Sequence, residues 1–126
     1  MARVEGGGVI DLTEALQEVR QLREDMHRAQ DWLRDNAPKS SQAEAEYRKA
    51  RAKAWLEVEG TAAHREAQVD ALTADLRYER DLGERLERAA LEKIRSCRQE
   101  ISLYQSLLAA HRAEAEFTRT GPEVGR

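Results

Sequence analysis

Apolar residues recur along this chain in alternating steps of three and four. One series is Leu12, Ala15, Val19, Leu22, Met26, Ala29 and Leu33. Another closes the chain as Ala90, Ile94, Cys97, Ile101, Tyr104, Leu108, His111 and Ala115. Residues spaced this way share one side of an α-helix. Each series therefore predicts an amphipathic helix that presents a narrow stripe to a partner. No catalytic constellation interrupts either one.

The punctuation between the series sets the expected boundaries. A flexible arm is expected at 1–10, around Gly6-Gly7-Gly8. Asp11 and Glu14 have capping-box spacing and open a helix over 11–36. Pro38 lacks a backbone donor and disfavours helical angles at Ala37, which predicts a linker at 37–41. Ser41 and Glu44 then form a second capping box, starting a long helical region at 42–119 that first shows Ala43, Tyr47, Ala50, Ala54 and Val58 on one side. Gly60-Thr61 marks a weak spot, since glycine costs a helix about 1 kcal/mol relative to alanine. Strong helix formers flank it, so continuation or a kink is expected there rather than a hairpin. Gly121-Pro122 predicts the end of the helix and a tail at 120–126. Glu24 with Arg28, Asp81 with Arg85, and Glu84 with Arg88 have the spacing of surface ion pairs.

Leu82, Leu86, Ala90 and Ile94 step by four each time, so the stripe is expected to drift around the helix as in a bundle. A helix of fifty or more residues runs roughly 75 Å at 1.5 Å per residue. A first helix half as long cannot cover it. The fold class expected is all-α: an elongated helical bundle or coiled coil with a shorter N-terminal helix and a long helical region. A homo-oligomer is expected to share a seam of Leu72, Leu76, Leu86, Ile94, Ile101, Tyr104 and Leu108.

Composition agrees with a thin seam better than with a round core. Of 126 residues, 40% are hydrophobic, 36% charged and only 5% aromatic, and the mean hydropathy is −0.79. Aromatic side chains supply much of the area in compact cores. A disordered chain would share this polarity but not the sustained periodicity. The 21 basic and 24 acidic residues leave a net charge of −3, so the chain has neither the basic excess of a duplex-binding protein nor the acidic surplus of a DNA mimic. A single cysteine, Cys97, excludes an intramolecular disulfide and points to a reducing, cytoplasmic compartment. No apolar run reaches the ~20 residues of a membrane span, so no membrane partner is expected.

Candidate chemistry is sparse. His27, His64 and His111 have no metal-ligand spacing to one another or to Cys97, and the glycine cluster lacks the following lysine of a phosphate-binding loop. No catalytic residue, metal or cofactor is expected. The strongest candidate is the segment Tyr47–Trp55, where Arg48, Lys49, Arg51 and Lys53 precede Trp55 and no acid falls between Glu46 and Glu57. Cations tracking a phosphate backbone beside a stacking ring are a common way to hold single strands. The competing reading is a solvated basic face with Trp55 packed on another helix. Lys93, Arg95 and Arg98 form a lesser basic spot with the same ambiguity.

Ala45-Glu46-Tyr47, Trp55-Leu56, Glu59-Gly60-Thr61, Arg65-Glu66-Ala67 and Gln105-Ser106-Leu107-Leu108 together resemble a family of small helical proteins of tailed phages and prophages. These proteins are often encoded near recombination and replication genes. The likeness covers about residues 43–117 and carries no activity residue by residue. It implies a viral protein in the bacterial cytoplasm. The expected function is a non-enzymatic accessory or adaptor in DNA recombination or replication, contacting single-stranded DNA or a DNA-processing protein. The alternatives are a helical inhibitor that binds a host protein and a coiled-coil scaffold or assembly factor.

Overall fold

The computed structural model describes the backbone of residues 4–5 and 9–124 and the side chains of residues 11–119. The fold is all-α. Three helices carry the described chain: α1, Leu12–Glu57; α2, Ala62–Leu72; and α3, Ala74–Val124. They follow a small antiparallel ladder of β1 (Val4–Glu5) and β2 (Val9–Ile10), which sets Val4 opposite Ile10 and Glu5 opposite Val9. The arm expected at 1–10 is thus corrected at these four positions, where β-branched residues on either side of the glycines favour extended backbone. Residues 1–3 and 6–8 lie outside the described residues.

Asp11 caps α1 as its spacing predicts: its Oδ1 accepts from the Glu14 amide at 3.1 Å. The linker expected at 37–41 is absent, and Pro38 lies inside α1. The second capping box is also absent, because Ser41 and Glu44 are interior to the same helix. Packing explains both corrections. Leu33, Asn36, Ser40, Ala43 and Tyr47 keep the alternating steps of the earlier stripe and are half-buried or buried on both sides of the proline. The backbone turn before Pro38 gains an extra bond, as Asn36 Nδ2 donates to the Trp32 carbonyl at 2.9 Å. Tertiary packing of an amphipathic face commonly outweighs a local breaker.

The chain divides into two compact units, Gln30–Glu92 and Met1–Ala29 with Lys93–Arg126. Within Gln30–Glu92 the chain reverses direction, so the expectation of continuation or a kink at Gly60 is corrected. Arg51 reaches Asp70, nineteen residues on, and Arg65 reaches the Trp55 carbonyl. Farther back, Ser40 lies beside Gly83 and Arg80 lies over the Tyr47 ring. Two features make the reversal. Gly60 has φ of 118°, open to glycine and strained for other residues. Thr61 then caps α2, its hydroxyl accepting from the His64 amide at 3.3 Å. A Cβ at Gly60 would also lie 2.9 Å from His64 Cδ2. Gly60→Ala is expected to destabilise the fold by about 1–3 kcal/mol, read as a lower urea midpoint at unchanged slope.

The step from α2 to α3 is a perturbation of one residue. Buried Thr73 keeps its amide bond to the Val69 carbonyl at 3.0 Å, and its hydroxyl donates to the same carbonyl at 2.8 Å. From Thr73 the half-buried positions Leu76, Arg80, Gly83, Glu87 and Ala90 keep the alternating steps, with half-buried Asp81 beside Arg80. The drift expected at Leu82 and Leu86 is therefore corrected. The alternating steps persist through Gly83, and both leucines fall outside them, 42% and 45% exposed. Glycine suits position 83 because the helices approach closely there: a Cβ would sit 3.1 Å from Ser40 Oγ and 3.6 Å from Ser40 Cα.

In the other unit, Val19, Leu22, Cys97 and Ile101 form a buried cluster, flanked by Met26 and Tyr104. Earlier residues of α1 meet later residues of α3, so the helices are antiparallel here too. The ion pair expected between Glu24 and Arg28 forms instead between Asp25 and Arg28. Hydrogen bonds from Gln21 and Arg28 hold the Asp25 carboxyl below the usual carboxylate range. That contribution to stability is present above the ordinary aspartate range and is lost as pH falls through the lowered value. Asp81 pairs with Arg77 and Arg80. Helix α3 passes the expected end at Gly121-Pro122 and continues to Val124. Near a terminus each added residue is cheap to order, and a missing proline donor removes one bond.

Candidate functional site

The basic segment lies on the last turns of α1, and its residues diverge around the helix. Ala50 and Ala54 continue the inward stripe. Arg51 and Trp55 each follow a stripe residue by one position, which places them on the flank facing α2. There Arg51 Nη1 meets Asp70 Oδ1 at 2.8 Å, and the Arg65 guanidinium lies 5.2 Å from the centre of the Trp55 ring. Arg65 Nη2 also donates to the Trp55 carbonyl at 3.0 Å. That carbonyl belongs to the last turn of α1, where the helix has no further amides to offer and attracts positive charge. Since α1 has no basic residue in its own last turn, Arg65 supplies one from α2.

Of the residues expected to contact nucleic acid, Arg51 and Trp55 are engaged within the fold. Arg48 is exposed and pairs with Glu44 at 2.7 Å, while Lys49 and Lys53 are exposed. The hydrogen bond to Asp70 pushes the Arg51 pKa further up, so this cation stays charged across the working pH range. Arg51→Asp is expected to lower the thermal midpoint, and Asp70→Arg in the same chain to recover most of the loss. Both effects should shrink as salt is added, because partly exposed pairs are screened.

A second polar group sits deeper on the same flank. Arg80 donates to Asp81 at 2.8 Å and lies 4.4 Å from the centre of the buried Tyr47 ring. Its Nε is 3.7 Å from Glu44 Oε2, a charge contact too long for a hydrogen bond. That leaves the Glu44 oxygen without a hydrogen-bond partner. Asp81, foremost, raises the Arg80 pKa. These ions join the antiparallel helices of this unit. Sequence reasoning missed the group because Glu44, Tyr47 and Arg80 meet only once the chain has turned at Gly60.

The residues expected to form a seam between copies separate into two sets. Ile94 and Ile101 are buried within the chain, and Tyr104 packs on the cluster beside Ile101. Leu108 and His111 are half-buried and share a shallow depression with the exposed Leu12 and Leu16. Leu76 is also half-buried, whereas Leu72 is 65% exposed and Leu86 lies beside Trp32 in a shallow groove. Helix α1, with 46 residues, nearly matches the 51 of α3, so the length mismatch that called for a second copy is absent.

Among the described residues, no group of three or more His, Cys, Asp or Glu side chains converges on a metal-sized site. His64 bonds Gln68, and His27 is exposed. No described helix is long and apolar enough to cross a membrane. Comparison with family models, curated proteins and solved structures finds no match for this chain.

Proposed function

We propose that this chain is a non-enzymatic helical adaptor that acts by contact with protein rather than by holding single-stranded DNA. The observation that carries this reading is the commitment of Arg51 and Trp55 to Asp70 and Arg65, while Leu56 and Leu72 stand 88% and 65% exposed. Large apolar side chains in water favour an interaction that covers them. The resemblance to small helical phage proteins supplies the setting: a bacterial cytoplasm, with a protein of DNA recombination or replication as the partner class.

Two measurements test it together. Labelled single-stranded and duplex DNA should show no salt-sensitive anisotropy change with the protein. A photo-crosslinker placed at position 56 or 72 should capture a recombinase, polymerase, helicase or single-strand-binding protein in phage-infected cells. Salt-sensitive binding that favours the single strand, and is lost in Arg48→Ala with Lys49→Ala, overturns the proposal. Crosslinks confined to proteins without a role in DNA processing overturn the partner class.

A further inference from the structure

Within the unit Gln30–Glu92, the two flanks of the helix pair differ in chemistry. Glu44 and Arg51 follow stripe residues and lie on the flank closed by Arg80 and Asp70. Trp32 and Lys39 precede stripe residues and lie on the other side. There, with Leu82, Leu86 and Glu79, they line a groove of about 250 Å³. No described residue of 30–46 or 74–93 is buried. The stripe beneath the groove is filled by Asn36, Ser40 and Gly83, so this stretch of the pair has no large side chain sealed inside it. At the groove the large apolar side chains stand on its walls, as Trp32, Leu82 and Leu86.

We infer that this groove is the contact between two copies of the chain, which pair through it to form a four-helix core. The charges at its rim identify a second copy as the occupant. Lys39 stands on the α1 wall and Glu79 on the α3 wall, one charge of each sign. In a two-fold contact, any meeting of residue i with residue j occurs twice with the roles exchanged. A copy turned about an axis parallel to the helices sets each α1 wall over the partner's α3 wall. That brings its Glu79 toward Lys39 and its Lys39 toward Glu79, whereas an axis across the helices would set like charges together. A groove built for a strongly acidic or basic partner would carry one sign on both walls. Closing the groove also covers Trp32, Leu82 and Leu86, which stand outside the intrachain stripe, and this is the division of labour in antiparallel four-helix bundles. The inference does not rest on the adaptor reading, since self-pairing and capture of another protein are measured separately.

Sedimentation equilibrium on the full chain tests it across the micromolar range. The wild type should approach twice the 14.3 kDa of one chain. Leu86→Glu should sediment as a single chain while keeping its helical circular dichroism. Lys39→Glu and Glu79→Lys should each weaken pairing at least tenfold, and the two together should restore it. These rim residues are exposed, so neither exchange disturbs a buried side chain. A wild-type mass of one chain throughout overturns the inference. So does a Leu86→Glu protein that still pairs, or a double exchange that fails to recover pairing.

Discussion

Replacing Pro38 with alanine is expected to stabilise the protein by about 2 kcal/mol. A proline inside a helix costs about 3 kcal/mol, through the lost hydrogen bond and the clash of its ring with the carbonyl four residues earlier. Here that carbonyl belongs to Arg34, well inside α1, which runs from Leu12 to Glu57. Alanine restores the donor and removes the ring. Part of the gain is cancelled because alanine frees the unfolded chain, an effect of roughly 0.4–1 kcal/mol. At about 4 °C per kcal/mol for a chain of this size, the midpoint should rise by on the order of 8 °C. Thermal unfolding followed by circular dichroism reads it directly. If the chain turned at a linker over 37–41, proline would suit its place and alanine would be neutral or destabilising. A fall in the midpoint would therefore refute a continuous α1.

That continuity is legible in the sequence, although the proline obscures it. From Leu33 the stripe passes through Asn36 and Ser40 to Ala43 and Tyr47 without losing its alternating steps. Two helices separated by a flexible linker would have no reason to stay in phase. The clue is weakened because the two connecting positions are polar, and they are polar where Gly83 brings the facing helix close. The reversal at Gly60 was less legible. A glycine and an N-cap threonine suit a kink as well as a turn, and the choice is made by contacts such as Arg51 with Asp70, far apart in sequence. The basic segment was misleading for the same reason. Its charge balance looked one-sided over ten residues, but Asp70, which neutralises Arg51, lies in another helix. Ile94, Ile101 and Tyr104 were readable as covered positions; that the covering helix belongs to the same chain was not.

Ile101→Ala is expected to cost about 3 kcal/mol, within the range for truncating a buried aliphatic side chain. Ile101 is 8% exposed and packs in the small cluster with Val19, Leu22 and Cys97. Losing its outer carbons forfeits their transfer energy and leaves space that helices fixed by other contacts only partly fill. Ile101→Val should cost less, about 0.5–1.5 kcal/mol. Leu103→Ala, two residues on but 59% exposed, should stay within about 0.5 kcal/mol. Urea titrations of the three variants separate packing from helix propensity, since alanine is the better helix former at both positions. Protein concentration adds the discriminating dimension. A side chain buried within its own chain loses the same free energy at every concentration. One buried between copies loses its contribution through the association equilibrium, so its cost changes with concentration. The Ile101→Ala penalty should therefore be independent of concentration, and a penalty that varied with dilution would return Ile101 to the seam between copies.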